Sequence, residues 1–458
     1  MASRTSAPRL QPGLSRDLGV RHATAVVVGT IIGSGIFLVP SEMAQAVGSA
    51  KLVFLVWIVG GLLSFFGALT YAELGAMKPQ AGGEYIYVRD AYGPLPAFLY
   101  AWTWFVIAKP ASIASVAAGF VLVLGTFSKL AFLNGTIATW PLAITYGQLL
   151  AIAAAAFISF LNYLGIKKAG EFQAFFTLLK IAIVLGIVVA GFSDAGGSWA
   201  HFGEQSSAAR GGLSGFMTAL VAALWAYDGW NDLNMVAGEV RRPERNIPIA
   251  LIAGVAIVIV LYMLMNAAVQ YVLPVEAIAN TARPASDTMR AVLGGLGAGI
   301  VSAGMALSML VTMNGTIMSG ARVPYAVARD GYFFRSLAHV HPSFHTPSTS
   351  IVVQAILACI LLLVAGKFKD LYSLAIFSEW LFYMIAGSTV FILRRREPNA
   401  PRPYRVWGYP WVPVLFVASA ALLLYSTFTA NLRNSAAGVL VIAVGIPVFY
   451  GFSRRRAL

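Results

Sequence analysis

Charged residues are scarce in this chain of 458 residues. Asp, Glu, Lys and Arg together make up only 11% of it, whereas hydrophobic residues make up 59%. A soluble globular protein carries about 25% charged residues. With a mean hydropathy of +0.76, the composition excludes a soluble globular domain and indicates an integral membrane protein.

Cysteine and histidine are also rare. The only cysteine, Cys359, lies within an apolar run, so no disulfide can form within the chain and no loop offers a thiol to another subunit. The five histidines lie in loops or at the edges of apolar runs, and no nucleophile–base pair is apparent within those runs. We therefore expect no metal site, no cofactor and no enzymatic activity.

Long apolar runs account for most of the sequence. A run of about 20 residues can cross a bilayer as a helix, and the chain contains twelve of them. They cover residues 22–47, 52–77, 96–125, 142–164, 171–192, 213–237, 247–273, 291–321, 348–366, 371–393, 411–430 and 435–452. The sequence thus predicts an all-α polytopic membrane protein with twelve transmembrane helices. The polar segment before the first run has no short apolar core, so we expect no cleavable signal peptide.

Acidic residues are outnumbered by basic ones, 18 to 32, which gives a net charge of +14. Of the 32 basic residues, 22 lie in the two termini and in the connecting segments on the same side, 8 lie in segments on the other side, and 2 lie within runs. This bias is the positive-inside rule, and it predicts that both termini are cytoplasmic. The basic surplus therefore indicates topology and anionic lipid headgroups rather than a nucleic acid partner.

The first apolar run is interrupted by Gly33-Ser34-Gly35. Glycine costs about 1 kcal/mol relative to alanine inside a helix, so we expect the helix to open here. Free backbone groups at bilayer depth are tolerated only where they face a protein cavity or a bound polar solute. The amide end of the second half-helix favours an anion and the carbonyl end of the first favours a cation. An α-amino acid, with both charges two bonds apart, would satisfy both ends.

The sixth run is interrupted in the same way by Asp228-Gly229-Trp230-Asn231. Two interrupted helices in corresponding positions of two halves are typical of secondary transporters, which bind solute near the midplane. Because each half has an odd number of spans, the second repeat is inverted relative to the first. We expect a cytoplasmic tail (1–21), a first five-helix repeat (22–192), an outer loop (193–212), an inverted second repeat (213–396), and two final helices with a basic tail (397–458).

Ionisable residues occur inside several runs, where they are costly and mark functional sites. Lys180 lies too deep to reach the interface, so we expect it to pair with backbone carbonyls or a carboxylate, or to be neutral. Lys109, next to Pro110, either lines a pathway or extends to the interface. Glu379 is a carboxylate within the tenth run and is therefore also a candidate functional residue. The stretch 78–87 between the second and third runs is either an ordinary connection or a short helix with a gating role.

These features together resemble the amino acid–polyamine–organocation superfamily, and within it the L-type amino acid transporter branch. The similar stretches are 29–37, 71–75, 79–87, 177–180, 225–234, 238–248, 314–322, 329–331 and 393–409. The resemblance implies a leucine-transporter-like fold, a five-plus-five inverted repeat with interrupted helices 1 and 6, alternating access and sodium-independent transport of amino acids.

The resemblance also implies roles for particular residues. The substrate carboxylate would meet backbone amides around the first break, and the ammonium would meet carbonyls of both breaks. The substrate-binding residues are then Ile31, Gly33, Ser34, Gly35, Ile36, Trp225, Ala226, Asp228 and Glu379. Trp225 would close over the substrate as a gate. Lys180, with Asn314, would stand in for the sodium ion that related transporters use.

Two residues depart from the family pattern, since Asp228 stands where the branch usually has glycine and Glu379 where it tends to be neutral. We expect exchange or import of neutral L-amino acids. The alternative is a carrier of cationic amino acids or polyamines, with coupling to protons if one of these carboxylates titrates. A transporter-like sensor that binds without moving its ligand is a further alternative. With no cysteine in an outer loop, we expect no disulfide-linked heavy subunit, and a carrier of prokaryotic type in the inner or plasma membrane.

Overall fold

The computed structural model of the chain describes residues 13–139, 143–206, 211–364, 368–430 and 432–457. Parts of the predicted amino-terminal tail (1–12), of the outer loop (207–210) and of the ends of the fourth and ninth runs (142 and 365–366) lie outside these residues. The apolar runs are helical over most of their described length. Helices satisfy all backbone hydrogen bonds within one segment, which an apolar environment requires.

Eighteen α-helices occur in the described part of the chain. They are α1 (Val20–Ile31), α2 (Gly35–Val47), α3 (Ala50–Met77), α4 (Glu84–Tyr92), α5 (Pro94–Thr103), α6 (Lys109–Leu124), α7 (Tyr146–Tyr163), α8 (Ile166–Phe192), α9 (Gly212–Ala226), α10 (Asp232–Met235), α11 (Pro243–Val272), α12 (Val275–Asn280), α13 (Pro284–Gly320), α14 (Arg322–Arg329), α15 (Ser348–Val364), α16 (Phe368–Arg396), α17 (Trp411–Ala430) and α18 (Leu432–Ala457). A short antiparallel hairpin, β1 (Thr136–Ala138) and β2 (Ile144–Thr145), connects α6 to α7 and was not predicted.

Eight helical stretches in the described residues are long and apolar enough to cross a membrane. They are Val20–Val47, Ala50–Met77, Pro94–Leu124, Tyr146–Tyr163, Ile166–Phe192, Pro243–Val272, Pro284–Arg329 and Trp411–Thr429. Shorter apolar helices are Gly212–Ala226, Ser348–Val364 and Gly438–Arg454. The molecule is therefore a helical polytopic membrane protein, as predicted, while the count of twelve spans and the domain boundaries stay predictions.

The centre of the bundle is formed by α1, which packs against α8, α11 and α13. Helix α2 packs against α9, and α6 packs against α13 and α16. The last two helices form an outer layer, where large apolar side chains such as Tyr425 and Leu440 remain exposed. The interrupted helices therefore lie inside the bundle, enclosed by the others.

One end of the bundle can be identified from contacts of the amino-terminal segment. Leu18 pairs with Val240 just before α11, and Arg21 and His22 meet Glu171 near the start of α8. The starts of α1, α8 and α11 thus lie at the same end, which we call the N-terminal face.

The helix is distorted just before Lys109-Pro110 by a π-helical turn. Pro110 lacks the N–H that would continue the ladder, and a π-helical turn, Trp104–Ala108, lies directly before it. A π-helical turn widens the backbone spiral at the point where it occurs. The predicted kink is thus a local widening between α5 and α6.

Candidate substrate site

The first helix is broken where the sequence predicted. Helix α1 ends at Ile31 and α2 begins at Gly35, and the Gly33 amide folds back onto the Ile31 carbonyl at 2.7 Å. The Phe37 and Leu38 amides both donate to the Ser34 carbonyl. The first amides of α2, those of Gly35 and Ile36, have no acceptor within their helix. They form a positive end directed into the break.

The sixth helix is also broken, but its second half is shorter than predicted. Helix α9 ends at Ala226, and after a turn the chain forms the four-residue helix α10 and a 3-10 turn, Ala237–Glu239. Gly229 makes the break possible because its φ is +102° and a Cβ atom there would lie 2.8 Å from Cγ2 of Thr30. Only glycine adopts this conformation readily and allows so close an approach. The second break therefore crosses the first helix directly.

A tyrosine from α11 joins the two broken ends. The Tyr262 hydroxyl lies 3.1 Å from the Ile31 carbonyl and 2.9 Å from the Ala226 carbonyl, and its single proton can be donated to one of them at a time. Two of the carbonyls that the resemblance assigned to the substrate ammonium therefore already face Tyr262. Tyr262 was not predicted, because its only signal in the sequence is a hydroxyl within the seventh apolar run.

The two breaks enclose a cavity together with side chains from α6, α13 and α16. Its lining residues are Thr30, Ile31, Gly33, Ser34, Gly35, Lys109, Ser112, Ser115, Val116, Trp225, Ala226, Asp228, Gly229, Asp232, Thr312, Thr316 and Glu379. Eight of the nine predicted substrate-binding residues are among them. The ninth, Ile36, is buried in α2 and is not part of the lining.

The cavity contains more acidic than basic groups. Lys109 pairs with Asp232 at 2.5 Å, and the Ser112 hydroxyl donates to Glu379 at 3.2 Å. Asp228 is the third carboxylate, and it accepts a hydrogen bond from Tyr383 at 2.9 Å. Lys109 is buried, so it lines the cavity rather than extending to the interface. Among the lining residues, one cation thus stands against three carboxylates.

Lys180 lies behind the first break rather than in the cavity lining. Its ammonium nitrogen is 2.8 Å from the Gly29 carbonyl, 2.5 Å from that of Ile32 and 3.1 Å from that of Ser308. An ammonium group has three protons to donate, so these three carbonyls satisfy it. The side chain is buried and fixes the carbonyl end of α1 against α13.

Asn314 does not join Lys180 or the cavity. Its amide donates to Gln173 at 2.7 Å and to the Ala169 carbonyl at 3.1 Å, and it accepts from Asn162 at 2.8 Å. These contacts connect α13 to α7 and α8 within the described part of the chain. The coupling role that the resemblance gave to Asn314 therefore has no support in its contacts, which are those of a helix-packing residue.

The cavity is closed on the side of the N-terminal face. Arg322 and Glu239 form a fully buried, bidentate ion pair at 2.7 and 2.9 Å. Four lining side chains, those of Ser112, Val116, Trp225 and Asp228, are partly exposed, whereas Arg322 and Glu239 are fully buried. The structure thus represents a state that is shut towards the N-terminal face.

Two broken helices that meet at a polar cavity inside an apolar bundle are typical of secondary transporters. The sequence model of a family described as "Amino acid permease" matches residues 18–452. The chain belongs to this amino acid permease family.

Named relatives agree with this assignment. The chain is 33% identical to the "Serine/threonine exchanger SteT" of Bacillus subtilis (strain 168), over 97% of this chain and 98% of that protein. It is 32% identical to the human "b(0,+)-type amino acid transporter 1", over 86% and 79% respectively. It is 30% identical to the human "Cystine/glutamate transporter", over 96% and 85%. These relatives are named as transporters or an exchanger, so the prediction that the chain is not an enzyme is confirmed.

Proposed function

We propose that this protein is a sodium-independent secondary transporter that moves amino acids by alternating access. The observation that carries the proposal is the cavity between the two helix breaks. There the first amides of α2 and the carbonyl end of α1 lie within one small volume. A small zwitterion matches both ends, because its carboxylate and ammonium are two bonds apart.

In this proposal the substrate carboxylate accepts hydrogen bonds from the amides around Ser34, Gly35 and Ile36. The substrate ammonium lies towards the Ile31 and Ala226 carbonyls and displaces the Tyr262 hydroxyl from one of them. Trp225, whose ring lies beside Gly35 at the partly exposed side, closes over the bound molecule.

Sodium independence is supported by the position of Lys180. Its ammonium occupies the space between the Gly29, Ile32 and Ser308 carbonyls, which are the kind of oxygen ligands that an alkali cation would use. The lysine nitrogen occupies the oxygens that a dissociable cation would otherwise use. Asn314 takes no part in this.

We propose neutral L-amino acids as substrates, moved by exchange or by import. The relatives carry names with different substrates, namely serine and threonine for one and cystine and glutamate for another. Their names therefore support the amino acid class and not one side chain. An exchange mode is supported by the printed name of the bacterial relative.

Cationic amino acids or polyamines are the second candidate, and a specific observation favours them. Asp228 and Glu379 both line the cavity, and Lys109, which lies beside them, already pairs with Asp232. If both carboxylates are ionised, a substrate with an extra positive charge gains from them. If one of them is protonated, transport can instead be coupled to protons.

We further propose that the protein acts in the inner or plasma membrane with both termini in the cytoplasm. The N-terminal face would then be the cytoplasmic side, and the structure would be closed inwards. The distribution of Lys and Arg supports this orientation. The position of the only cysteine, half-buried within α15, supports function without a disulfide-linked heavy subunit.

Uptake into proteoliposomes tests the proposal. The purified protein is reconstituted, and uptake of the twenty labelled amino acids and putrescine is measured with and without the same unlabelled compound inside. Both conditions are repeated with sodium replaced by choline. Stimulation by internal substrate supports exchange, and equal rates without sodium support the role of Lys180. Binding in detergent without flux would identify a sensor and overturn the proposal, and protein-free liposomes are the control.

A further inference from the structure

A chain of hydrogen bonds leads from the cavity towards the N-terminal face. The Tyr383 hydroxyl lies 2.9 Å from Oδ1 of Asp228 and 3.1 Å from Oδ1 of Asn231. The Asn231 amide nitrogen donates to Oε1 of Glu84 at 2.5 Å, and the Tyr100 hydroxyl donates to Oε2 at 3.3 Å. The carboxylate of Glu84 is therefore connected to a lining residue through two intervening side chains.

Glu84 is held rigidly in this position. It is the first residue of α4, and the Gly82-Gly83 backbone before it packs directly on α10. Gly83 has a φ of +48°, and a Cβ there would lie 2.9 Å from the Met235 nitrogen; the Gly82 amide donates to the Met235 carbonyl at 2.9 Å. The connection between the second and third runs is therefore attached to the short half of the broken sixth helix.

Glu84 is fully buried and lacks a counter-ion within the described part of the chain. The charged or titratable groups that face it come from several packed elements: Lys109 of α6, Asp232 of α10, Tyr71 of α3, Tyr87 of α4, Tyr100 of α5 and Tyr383 of α16. The single cation among them already pairs with Asp232. A buried, unpaired carboxylate is costly and tends to bind a proton.

We propose that Glu84 is a proton-binding site whose state is transmitted to the cavity through Asn231 and Tyr383. The inference rests on the proposed transport function and adds to it a regulatory proton that the substrate does not touch. Its position in α4, outside the spanning helices, distinguishes it from the carboxylates of the cavity. Burial raises the pKa of Glu84 to about 7, even though the hydrogen bond from Asn231 lowers it.

The protonation state of Glu84 determines which groups in this chain of hydrogen bonds donate and which accept. An ionised Glu84 can only accept, so the Asn231 nitrogen faces it and the Asn231 oxygen faces Tyr383. The Tyr383 proton is then shared between Asn231 and Asp228. When water delivers a proton to Oε1, the carboxyl becomes a donor, and the Asn231 amide turns so that its oxygen accepts from Glu84. The Asn231 nitrogen then donates to the Tyr383 oxygen, whose own proton goes to Asp228 alone.

Protonation of Glu84 therefore strengthens the hydrogen bond to the Asp228 carboxylate and holds it ionised. An ionised Asp228 lines the cavity and attracts positive charge on the substrate. Substrate affinity should thus rise as the pH falls through the neutral range. The direction is opposite to that expected if the cavity carboxylates alone titrated, because their protonation would weaken binding of a cation.

The experiment measures the half-saturating substrate concentration for exchange in proteoliposomes. The pH is varied between about 5.5 and 8.5, a range that includes the raised pKa of Glu84. The probe is the labelled amino acid that gives the fastest uptake in the panel above. The wild type should bind at least about threefold more tightly at the acidic end. Glu84→Gln cannot change its charge and should give a flat profile. Asp90→Asn, six residues further along α4 and paired with Lys78 outside the chain of hydrogen bonds, is the matched control and should keep the wild-type profile.

Tyr383→Phe provides a second test, since it breaks the chain next to Asp228 and leaves Glu84 intact. It should also give a flat pH profile. If Glu84→Gln does not fold, Tyr383→Phe is the variant that tests the inference. A flat wild-type profile, or a wild-type profile in either folded variant, overturns the inference. If the wild type transports none of the compounds offered, the proposed function itself fails. If it transports and the variants keep its pH profile, only the role of Glu84 fails.

Discussion

Gly35 and Ala226 lie in direct backbone contact, so that a Cβ atom on Gly35 would stand 2.9 Å from both Cα and Cβ of Ala226. The residues belong to the two broken helices, and real Cβ contacts are essentially never this short. Glycine is therefore required at Gly35 for the half-helices to meet. The same contact brings the free amides of α2 beside the end of α9.

Gly35→Ala should weaken substrate binding by about tenfold or more, because overpacking of this kind costs about 1–3 kcal/mol and separates the two breaks. A β-branched residue such as valine should abolish binding. The measurement is the dissociation constant for the transported amino acid, obtained by isothermal titration calorimetry in detergent.

Gly33→Ala is the matched control for that prediction. A Cβ atom on Gly33 would lie 3.5 Å from the Thr312 hydroxyl, which is an ordinary contact. Its effect on binding should therefore be clearly smaller than that of Gly35→Ala. Equal losses in the two variants, or unchanged affinity in Gly35→Ala, would contradict the importance of the contact.

Trp225→Ala should slow transport more than it weakens binding. The ring is only partly buried, lines the cavity and lies 3.5 Å from the position of a Gly35 Cβ. A side chain that closes over the substrate affects the conformational step, so we expect a maximal exchange rate about tenfold lower with a much smaller change in the dissociation constant. Trp225→Phe should retain most of the rate. A larger loss in binding than in turnover would exclude a gate.

Asp228→Asn should shift substrate preference away from cationic amino acids. The change removes one negative charge from the cavity while keeping an oxygen that can accept from Tyr383. A charge-assisted hydrogen bond is about twice as strong as a neutral one, so the arginine-to-serine preference should fall by about tenfold. Competition assays with both amino acids measure the ratio. An unchanged ratio would show that Asp228 does not contact the substrate side chain.

The sequence predicted the broken helices because their cause is local. Glycine next to polar residues inside an apolar run is unstable as a continuous helix, and this alone identified Gly33, Gly35 and Gly229 as sites of opening. The depth of Lys180 within its run predicted that it pairs with backbone carbonyls or a carboxylate, or is neutral. It could not name those partners, because the Ser308 carbonyl is 128 residues away and comes near only through packing.

Other parts of the site depend on contacts that no local pattern encodes. Tyr262 and Tyr383 resemble ordinary hydrophobic residues within their apolar runs, and only the meeting of α11 and α16 with the breaks gives their hydroxyls a role. Asn314 was given its role by the resemblance alone, and its contacts are with packing residues of α7 and α8. Its part in coupling stays a prediction.

The ion pair between Arg322 and Glu239 closes the N-terminal face, and its removal gives the last prediction. Both side chains are fully buried, so Glu239→Gln leaves the Arg322 charge uncompensated, which costs about 3–5 kcal/mol when one partner of a buried pair is removed. We therefore expect a clearly lower thermal unfolding midpoint in detergent, measured by intrinsic fluorescence. Glu244→Gln, at an exposed carboxylate in the first turn of α11, should leave the midpoint nearly unchanged.

A double variant distinguishes the effect of this ion pair on stability from its effect on closure of the N-terminal face. Arg322→Met with Glu239→Leu removes both charges, and such a replacement is often neutral for stability. We expect its unfolding midpoint to recover towards the wild-type value. The pair closes the N-terminal face in this structure, so the double variant should label faster with a thiol reagent. Labelling is measured at Thr316→Cys, a cavity position, with Cys359→Ser, in the double variant and in the background that keeps Arg322 and Glu239. Slower or equal labelling would mean that hydrophobic packing, and not the ion pair, keeps this face closed.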